Sequence, residues 1–353
     1  MELFRTQRIL MCTATLMAAL VVVGLCAMAL DDRMLLGVSV WAKPVKFGVA
    51  FALYTATLAW LLDHPHRGRR WTRVLAPVFA ATAVIDVGFI VVQAARGTFS
   101  HFNSQTDPVN SIGQIVFTTG VPGLFFANLL IACILLWQRI GDSATTVAIR
   151  AGLVISVVGM ALGYLVGFAG PQLARTASGE LVTLSAKHTF GGPDGTPGMP
   201  ITGWSLQAGD LRIPHFLGLH GMQILLLLTF VLLVSARRLP RMRDQRTRAR
   251  IVGIAAGGYA SAVAITLWQA LHGQSLVHPD AGVLCAWAVV VAICVAAAAF
   301  AVWAVPADSA DDDGAAVVGD KPVGIESVTG GREFVEGRTL RPGGARPAQS
   351  STT

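Results

Sequence analysis

Apolar runs long enough to cross a lipid bilayer recur along the chain, and they constrain its fold more than any other feature. Inside hydrocarbon every backbone polar group must be bonded within the protein, and runs without the alternation of a barrel strand achieve this only as helices. About eight runs reach the ~20 residues that a span needs. They are residues 9–30, 37–62, 74–96, 114–138, 146–167, 214–236, 250–272 and 282–304. The sequence therefore predicts an all-α polytopic membrane helix bundle over residues 1–304.

Composition excludes a soluble domain, because 54% of the residues are hydrophobic, 13% are charged and the mean hydropathy is +0.61. The net charge of +7 is typical of membrane topology and lipid contact, so we expect no nucleic-acid partner. The five cysteines fall inside the predicted helices without a C-x-x-C motif, which predicts small buried hydrophobic side chains. Residues 305–353 are rich in Asp, Gly, Pro and Ser, which predicts a disordered tail.

The arginines predict which side of the membrane each connector occupies. Arginines cluster in residues 64–73 and in the basic loop 237–250, and eight helices place both segments on one side. The positive-inside rule assigns that side to the cytoplasm, together with both termini. Residues 169–213 then form a long outer loop, which turn-forming residues predict to be a cover over the outer face.

The first apolar run has two interpretations. Arg5 and Arg8 precede it and Ala27-Met28-Ala29 ends it, a pattern that a cleaved signal peptide over residues 1–29 also shows. Because the run is long for a signal peptide, we favour a retained helix. Cleavage would leave seven helices.

Polar side chains collect where the predicted helices reach the outer face. Residues 203–223 lead from a polar loop into the sixth helix, with Pro214 at the first helical position. Polar groups below the membrane surface are costly in lipid, so they indicate a bundle interior and a function. We predict a ligand-binding pocket with Trp41 and Trp204 at its rim and Lys43 turned outward to water. Its further residues are Lys46, Asp86, His101, Asn103, Asp210, Arg212, His215, His220 and Gln223.

Two charged residues are expected to pair beneath this pocket. Counted from the outer helix ends at ~1.5 Å per residue, Lys46 lies ~14 Å deep and Asp86 ~16 Å deep. Either charge alone near the membrane centre would cost ~2.5–3.5 kcal/mol on insertion scales. The matching depths predict a Lys46–Asp86 ion pair between the second and third helices, either as the floor of the pocket or as a packing device.

Histidines suggest a cofactor at the outer face. Imidazole is a common ligand of transition metals and of haem in helix bundles, so His101, His215 and His220 are candidate metal ligands. On a straight helix His215 and His220 point ~140° apart, which argues against one ion held by both. Ordinary hydrogen bonding to water, headgroups or carbonyls is the alternative for each.

Two short matches hint at an internal duplication. The third and seventh helices end in Gln93-Ala-Ala-Arg-Gly97 and Gln269-Ala-Leu-His-Gly273, and Lys46-Phe47 stands opposite His215-Phe216. In each match the second segment lies four helices after the first. This offset is expected for a parallel 4+4 duplication, but chance explains matches this short equally well.

Three segments resemble the signature segments of a family of uncharacterised bacterial inner-membrane proteins. They are W-A-K-P-V-K-F at residues 41–47, S-H-F-N at 100–103 and G-D-L-R-I-P-H-F-L-G-L-H at 209–220. The resemblance implies a bacterial inner membrane but no activity, substrate or cofactor.

We therefore expect an integral membrane protein that binds a small ligand or cofactor, such as haem or a metal, in a histidine-lined pocket on its outer face. A small-solute or proton-coupled transporter is the alternative, since buried charges and parallel repeats are also features of transporters. A structural protein without a ligand is the third interpretation. The sequence does not decide whether the protein is an enzyme.

Overall fold

Ten helices make up most of the described chain. The structure, a computed structural model, describes residues 2–303, so the predicted tail at 305–353 lies outside the described residues. The helices are α1 Glu2–Thr6, α2 Arg8–Leu30, α3 Ala42–Asp63, α4 Arg69–Arg96, α5 Pro108–Leu136, α6 Ser143–Leu162, α7 Arg212–Leu219, α8 Gly221–Ser235, α9 Gln245–Leu271 and α10 Ala281–Trp303. A 3₁₀ helix, Gly163–Phe168, continues α6.

The predicted fold class is confirmed. Among residues 2–303, seven helices are long and apolar enough to cross a membrane, and α7 with α8 makes an eighth span when the two are counted together. The protein is an all-α, multi-pass membrane protein. Nothing tests whether α2 is retained or cleaved, which stays a prediction.

Several helices begin earlier than the apolar runs, because acidic residues cap polar first turns. Asp107 accepts hydrogen bonds from the first backbone N–H groups of α5, and Asp244 does the same for α9. Asp142 Oδ1 accepts from Thr145 N at the start of α6, at 2.8 Å. An N-cap bonds N–H groups that have no partner within the helix, so these helices extend beyond their hydrophobic stretch.

Three two-stranded antiparallel sheets lie in the connectors on one side of the bundle. They pair β1 Met34–Leu35 with β2 Val38–Ser39, β3 Gln172–Arg175 with β4 Leu181–Leu184, and β5 Thr189–Phe190 with β6 Gly209–Asp210. We call this side the loop face; it comprises connectors 31–41, 97–107, 169–211 and 272–280. The opposite arginine face comprises connectors 64–68, 137–142 and 236–244.

Apolar side chains from α2 to α6 form the main core. Leu58, Phe79, Ile131 and Leu135 are fully buried. Tyr54 in α3 donates a hydrogen bond to Asn128 Oδ1 in α5 at 2.9 Å. This bond satisfies two polar groups that would otherwise lie unpaired in the membrane interior.

The sixth predicted span is not one straight helix. Its axis bends by 47° between α7 and α8, at His220. Gly218 and Gly159 of α6 bring their backbones into direct contact, and a Cβ on Gly159 would collide with Gly218 and Leu219. Close contact through glycines seats the short α7 against α6, so the straight-helix geometry expected for His215 and His220 was wrong.

Most cysteines face outward, contrary to the prediction of burial. Cys12, Cys26, Cys133 and Cys285 are exposed on helix surfaces, and Cys294 is partly buried. In a membrane protein the lipid accepts apolar side chains, so a small hydrophobic residue need not be buried within the protein.

Both predicted repeat segments adopt the same helix-ending conformation. Gly97 and Gly273 have φ of 70° and 72°, and Gln93 and Gln269 are buried. The backbone N–H of the residue after each glycine bonds to the carbonyl of that glutamine. Glycine commonly ends a helix in this way, so the shared conformation of the two segments does not require a duplication. The duplication stays a prediction.

Candidate functional site

The long connector 169–211 folds over the helix ends of the loop face. Ser185 N donates to Phe102 O at 2.7 Å, and Ser104 N donates to Thr183 O at 3.0 Å. Lys46 Nζ donates to Thr202 O at 2.9 Å. These bonds fasten the connector to α3 and to the α4–α5 connector; we call residues 169–211 the cover of the loop face.

A buried ion pair holds the end of this cover. Arg212 Nη2 lies 2.5 Å from Asp210 Oδ2, and Asp210 is completely buried. Arg212 Nη2 also donates to Gly203 O at 2.9 Å, while Asp210 Oδ2 accepts from Ser205 N. Their contacts join the connector to the start of α7, and the expectation that both residues bind a ligand stays a prediction.

One histidine, His101, lies beneath the cover, and a second, His188, belongs to the cover itself. Lys43 Nζ lies 3.0 Å from His101 Nδ1, and the His101 ring stacks on Phe117 at a centroid distance of 3.9 Å. His188 Nδ1 lies 2.6 Å from Asp194 Oδ2. Ionisable groups from three separate segments therefore meet at one place.

Burial and neighbouring charge set the protonation of these connector residues. Burial lowers the pKa of His101 well below its ordinary value, and the charge of Lys43 lowers it further. Burial also lowers the pKa of His188, against the opposing effect of Asp194. Burial disfavours ionised Asp194, but hydrogen bonds from His188 prevail and hold the Asp194 pKa below its ordinary value. We expect neutral imidazoles beside an ionised carboxylate at neutral pH.

The lysines differ in their partners from three of the four arginines at or beside the loop face; the fourth, Arg175, donates to Gly179 O. Arg33, Arg96 and Arg212 each pair with an aspartate, at 2.8, 2.8 and 2.5 Å. The three lysines of the described residues lie in connector 169–211 or in the first turns of α3 next to it, and none forms an ion pair with a carboxylate. Lys43 meets His101, Lys46 donates to Thr202 O, and Lys187 donates to Gly192 O. Their positive charges are therefore not neutralised by direct ion pairs.

The predicted Lys46–Asp86 pair does not form. Lys46 turns to the connector, and no cation among residues 2–303 contacts Asp86. Asp86 is only 5% exposed, and its Oδ1 has no hydrogen-bond partner within the described chain. The depths along the two helices match, but the side chains leave their helices in different directions, which a count of residues does not give.

The remaining predicted residues take separate positions. Asn103 is buried and donates to Thr98, Phe99 and Gln105, so it holds the turn after α4.

His215 Nδ1 lies 2.7 Å from Gly159 O. The Gln223 amide atoms are buried without a partner in the part of the chain that the structure describes. The indole of Trp41 donates to Asp31, and Trp204 is half-buried in the connector.

The three predicted metal ligands do not converge. Residues 2–303 contain no group of three His, Cys, Asp or Glu side chains that could hold a metal ion. His215 bonds to a carbonyl, which is the alternative to metal binding that the sequence left open for this residue. Two grooves in the described surface, lined by residues including Arg8 and Arg250, lie near the arginine face and contain no predicted site residue.

Sequence reasoning missed Lys43, His188 and Asp194 as site residues. Lys43 was expected to face water because it stands at a helix start, yet it turns toward His101. His188 and Asp194 lie six residues apart in a turn-rich stretch, where a histidine and an aspartate are well placed to bond across a turn. The six-residue spacing of His188 and Asp194 was the sequence feature that could have predicted their contact.

Comparisons of the chain with protein-family models, curated proteins and solved structures gave no match.

Proposed function

We propose that the protein binds a small anion, a carboxylate or a phosphate, at the loop face between Lys43 and Lys46. The observation that carries the proposal is the pair of half-buried lysines without carboxylate partners. Connector 169–211 acts as the cover of the site. The arginine-rich connectors on the opposite side favour a loop face outside the cytoplasm, and the resemblance of three segments to bacterial inner-membrane proteins favours that membrane.

Geometry and charge support an anion rather than a cation. Lys43 and Lys46 are three residues apart on α3, so they share one helix face. Their charges and that of Arg212 interact, and Asp194 and Asp210 are the carboxylates that interact with the two lysines. With both lysines protonated, three cations stand against two carboxylates, which leaves one positive charge in excess. Like charges at this spacing destabilise a helix, and an anion between them removes that repulsion.

The test uses the full chain in mild detergent. Its thermal unfolding is followed while inorganic phosphate, succinate or phosphatidylglycerol is added at constant ionic strength. A charge-assisted hydrogen bond contributes ~1.5–3 kcal/mol, so Lys43→Gln or Lys46→Gln should weaken binding roughly tenfold to a hundredfold. Lys187→Gln is the matched control, because its amine also donates to a carbonyl but lies on the connector.

The probes separate the sources of the anion. Stabilisation by phosphatidylglycerol but not by phosphate or succinate would assign a lipid headgroup; stabilisation by a soluble anion would assign a solute. Stabilisation that is absent for every probe, or that survives both lysine substitutions unchanged, would contradict the proposal and favour a structural protein without a ligand.

Transport of the same anion is the second candidate function. The break between α7 and α8 favours it, because interrupted helices in transporters line substrate sites near the membrane centre. Uptake of labelled phosphate or succinate into proteoliposomes tests this candidate. Binding without uptake would leave a binding protein.

A haem- or metal-linked form of the proposal has less support, since the candidate histidines are separated and His215 bonds to a carbonyl. An absorption spectrum of oxidised and reduced protein, with elemental analysis, tests this form. A Soret band or stoichiometric metal that disappears in His101→Ala, His215→Ala or His220→Ala would establish it.

A further inference from the structure

Asp86 is an acidic side chain in the middle of a membrane-spanning helix. It lies ten residues before the loop-face end of α4, ~15 Å along the axis at ~1.5 Å per residue. It is 5% exposed, and Oδ1 lacks a hydrogen-bond partner among residues 2–303. No other acidic side chain lies in a described helix at comparable distance from both ends.

The helix opposite leaves space for the carboxyl group. A Cβ on Gly120 of α5 would collide with Asp86 Oδ1, so the carboxyl packs against bare backbone. One turn earlier in α4, Thr82 faces Gly123 of α5, but its hydroxyl donates to Val78 O within α4. Thr82 is therefore not available to Asp86 as a donor.

No charge from the surrounding elements compensates Asp86. Helices α2, α3 and α5 pack against α4. The charged or titratable side chains of these four helices, Asp86 aside, are Arg8, Cys12, Cys26, Lys43, Lys46, Tyr54, Asp63, Arg69, Arg70, Arg73, Arg96 and Cys133. None of them is bonded to Asp86 within the described chain. Tyr164, beyond α6, interacts with Asp86 electrostatically, but no hydrogen bond joins the two.

We propose that Asp86 is a proton-binding site in the membrane interior, occupied at neutral pH and able to exchange its proton. An ionised carboxylate at this position has neither a cation nor a donor, whereas the protonated acid carries no charge to solvate. A metal cation is excluded as the occupant by chemistry, because hard cations require several oxygen ligands and Asp86 supplies a single carboxyl group. The proposal is independent of anion binding at Lys43 and Lys46.

Infrared spectroscopy of the full chain tests protonation directly. At neutral pH the wild type is expected to show the C=O stretch of a protonated carboxyl, shifted in deuterium oxide, and Asp86→Asn is expected to lack it. Asp63→Asn, at the end of α3, is the control that should keep the band. The band should lose intensity as the pH rises. A missing band, or one that stays constant at alkaline pH until the protein unfolds, would overturn the proposal.

Carbodiimide labelling provides a second measurement that needs only the wild-type protein. The protonated carboxyl transfers its proton to a nitrogen of dicyclohexylcarbodiimide while a carboxyl oxygen bonds to the central carbon. Acyl transfer to nitrogen then gives a stable N-acylurea that contains all atoms of both reactants. Mass spectrometry of peptides should locate the adduct on Asp86, with a rate that falls as the pH rises. Labelling that spares Asp86 while the reagent modifies other carboxyl groups would count against the proposal.

Discussion

The buried Asp210–Arg212 ion pair is expected to determine whether the cover stays closed. Arg212→Gln removes the cation but leaves Asp210, which is completely buried, with backbone N–H donors alone. Removal of one partner of a buried ion pair costs ~3–5 kcal/mol, because the other charge remains without compensation. The lost bond from Arg212 to Gly203 O adds about 1 kcal/mol.

The chain contains a matched control for this substitution. Asp31 and Arg33 form the same Asp-x-Arg pair on the same face, at 2.8 Å, but their side chains are 21% and 42% exposed, against 0% and 24% for Asp210 and Arg212. Exposed ion pairs contribute little to stability. Arg33→Gln should therefore leave the unfolding temperature almost unchanged, whereas the loss of ~4–6 kcal/mol in Arg212→Gln should lower it by roughly 8–24 °C at ~2–4 °C per kcal/mol.

Thermal unfolding in detergent, followed by tryptophan fluorescence, measures these differences. The double variant Asp210→Asn with Arg212→Gln removes the uncompensated charge and should be more stable than Arg212→Gln alone. Residues in direct contact show such coupling, and independent residues do not. Equal effects of Arg33→Gln and Arg212→Gln, or additive effects in the double variant, would refute the reasoning.

Two further predictions concern packing and pH. Gly159→Ala should destabilise the protein by ~1–3 kcal/mol, because the added methyl group meets the backbone of Gly218; Gly257→Ala, whose Cβ has open space, is the control in the same unfolding assay. Burial lowers the pKa of His101 and of His188 in the folded protein. Below about pH 6.5 these histidines therefore bind protons in the unfolded chain but not in the folded protein, so stability should fall as the pH decreases. The unfolding temperature measured from about pH 8 to about pH 5 should fall less in His101→Gln than in the wild type, and identical profiles of the two proteins would contradict this account.

Part of the candidate site was predictable from the sequence. His101, Asp210 and Arg212 were placed at the loop face because their helix ends are readable from apolar length and capping residues. The sequence did not show which residues these side chains contact. Asp210 and Arg212 bond mainly to each other and to the connector, and the predicted pair of Lys46 with Asp86 was wrong because residue counts give depth but not rotation about the helix axis.

The sequence by itself determined the membrane spans, since each depends on the local length of an apolar run and on backbone bonds made within one helix. It also determined which residues lie near the helix ends. The tertiary structure alone decided the bend at His220, the closure of connector 169–211 and the isolation of Asp86. These features arise from contacts between residues far apart in the chain, such as Gly159 with Gly218, and no local pattern encodes which helix faces meet.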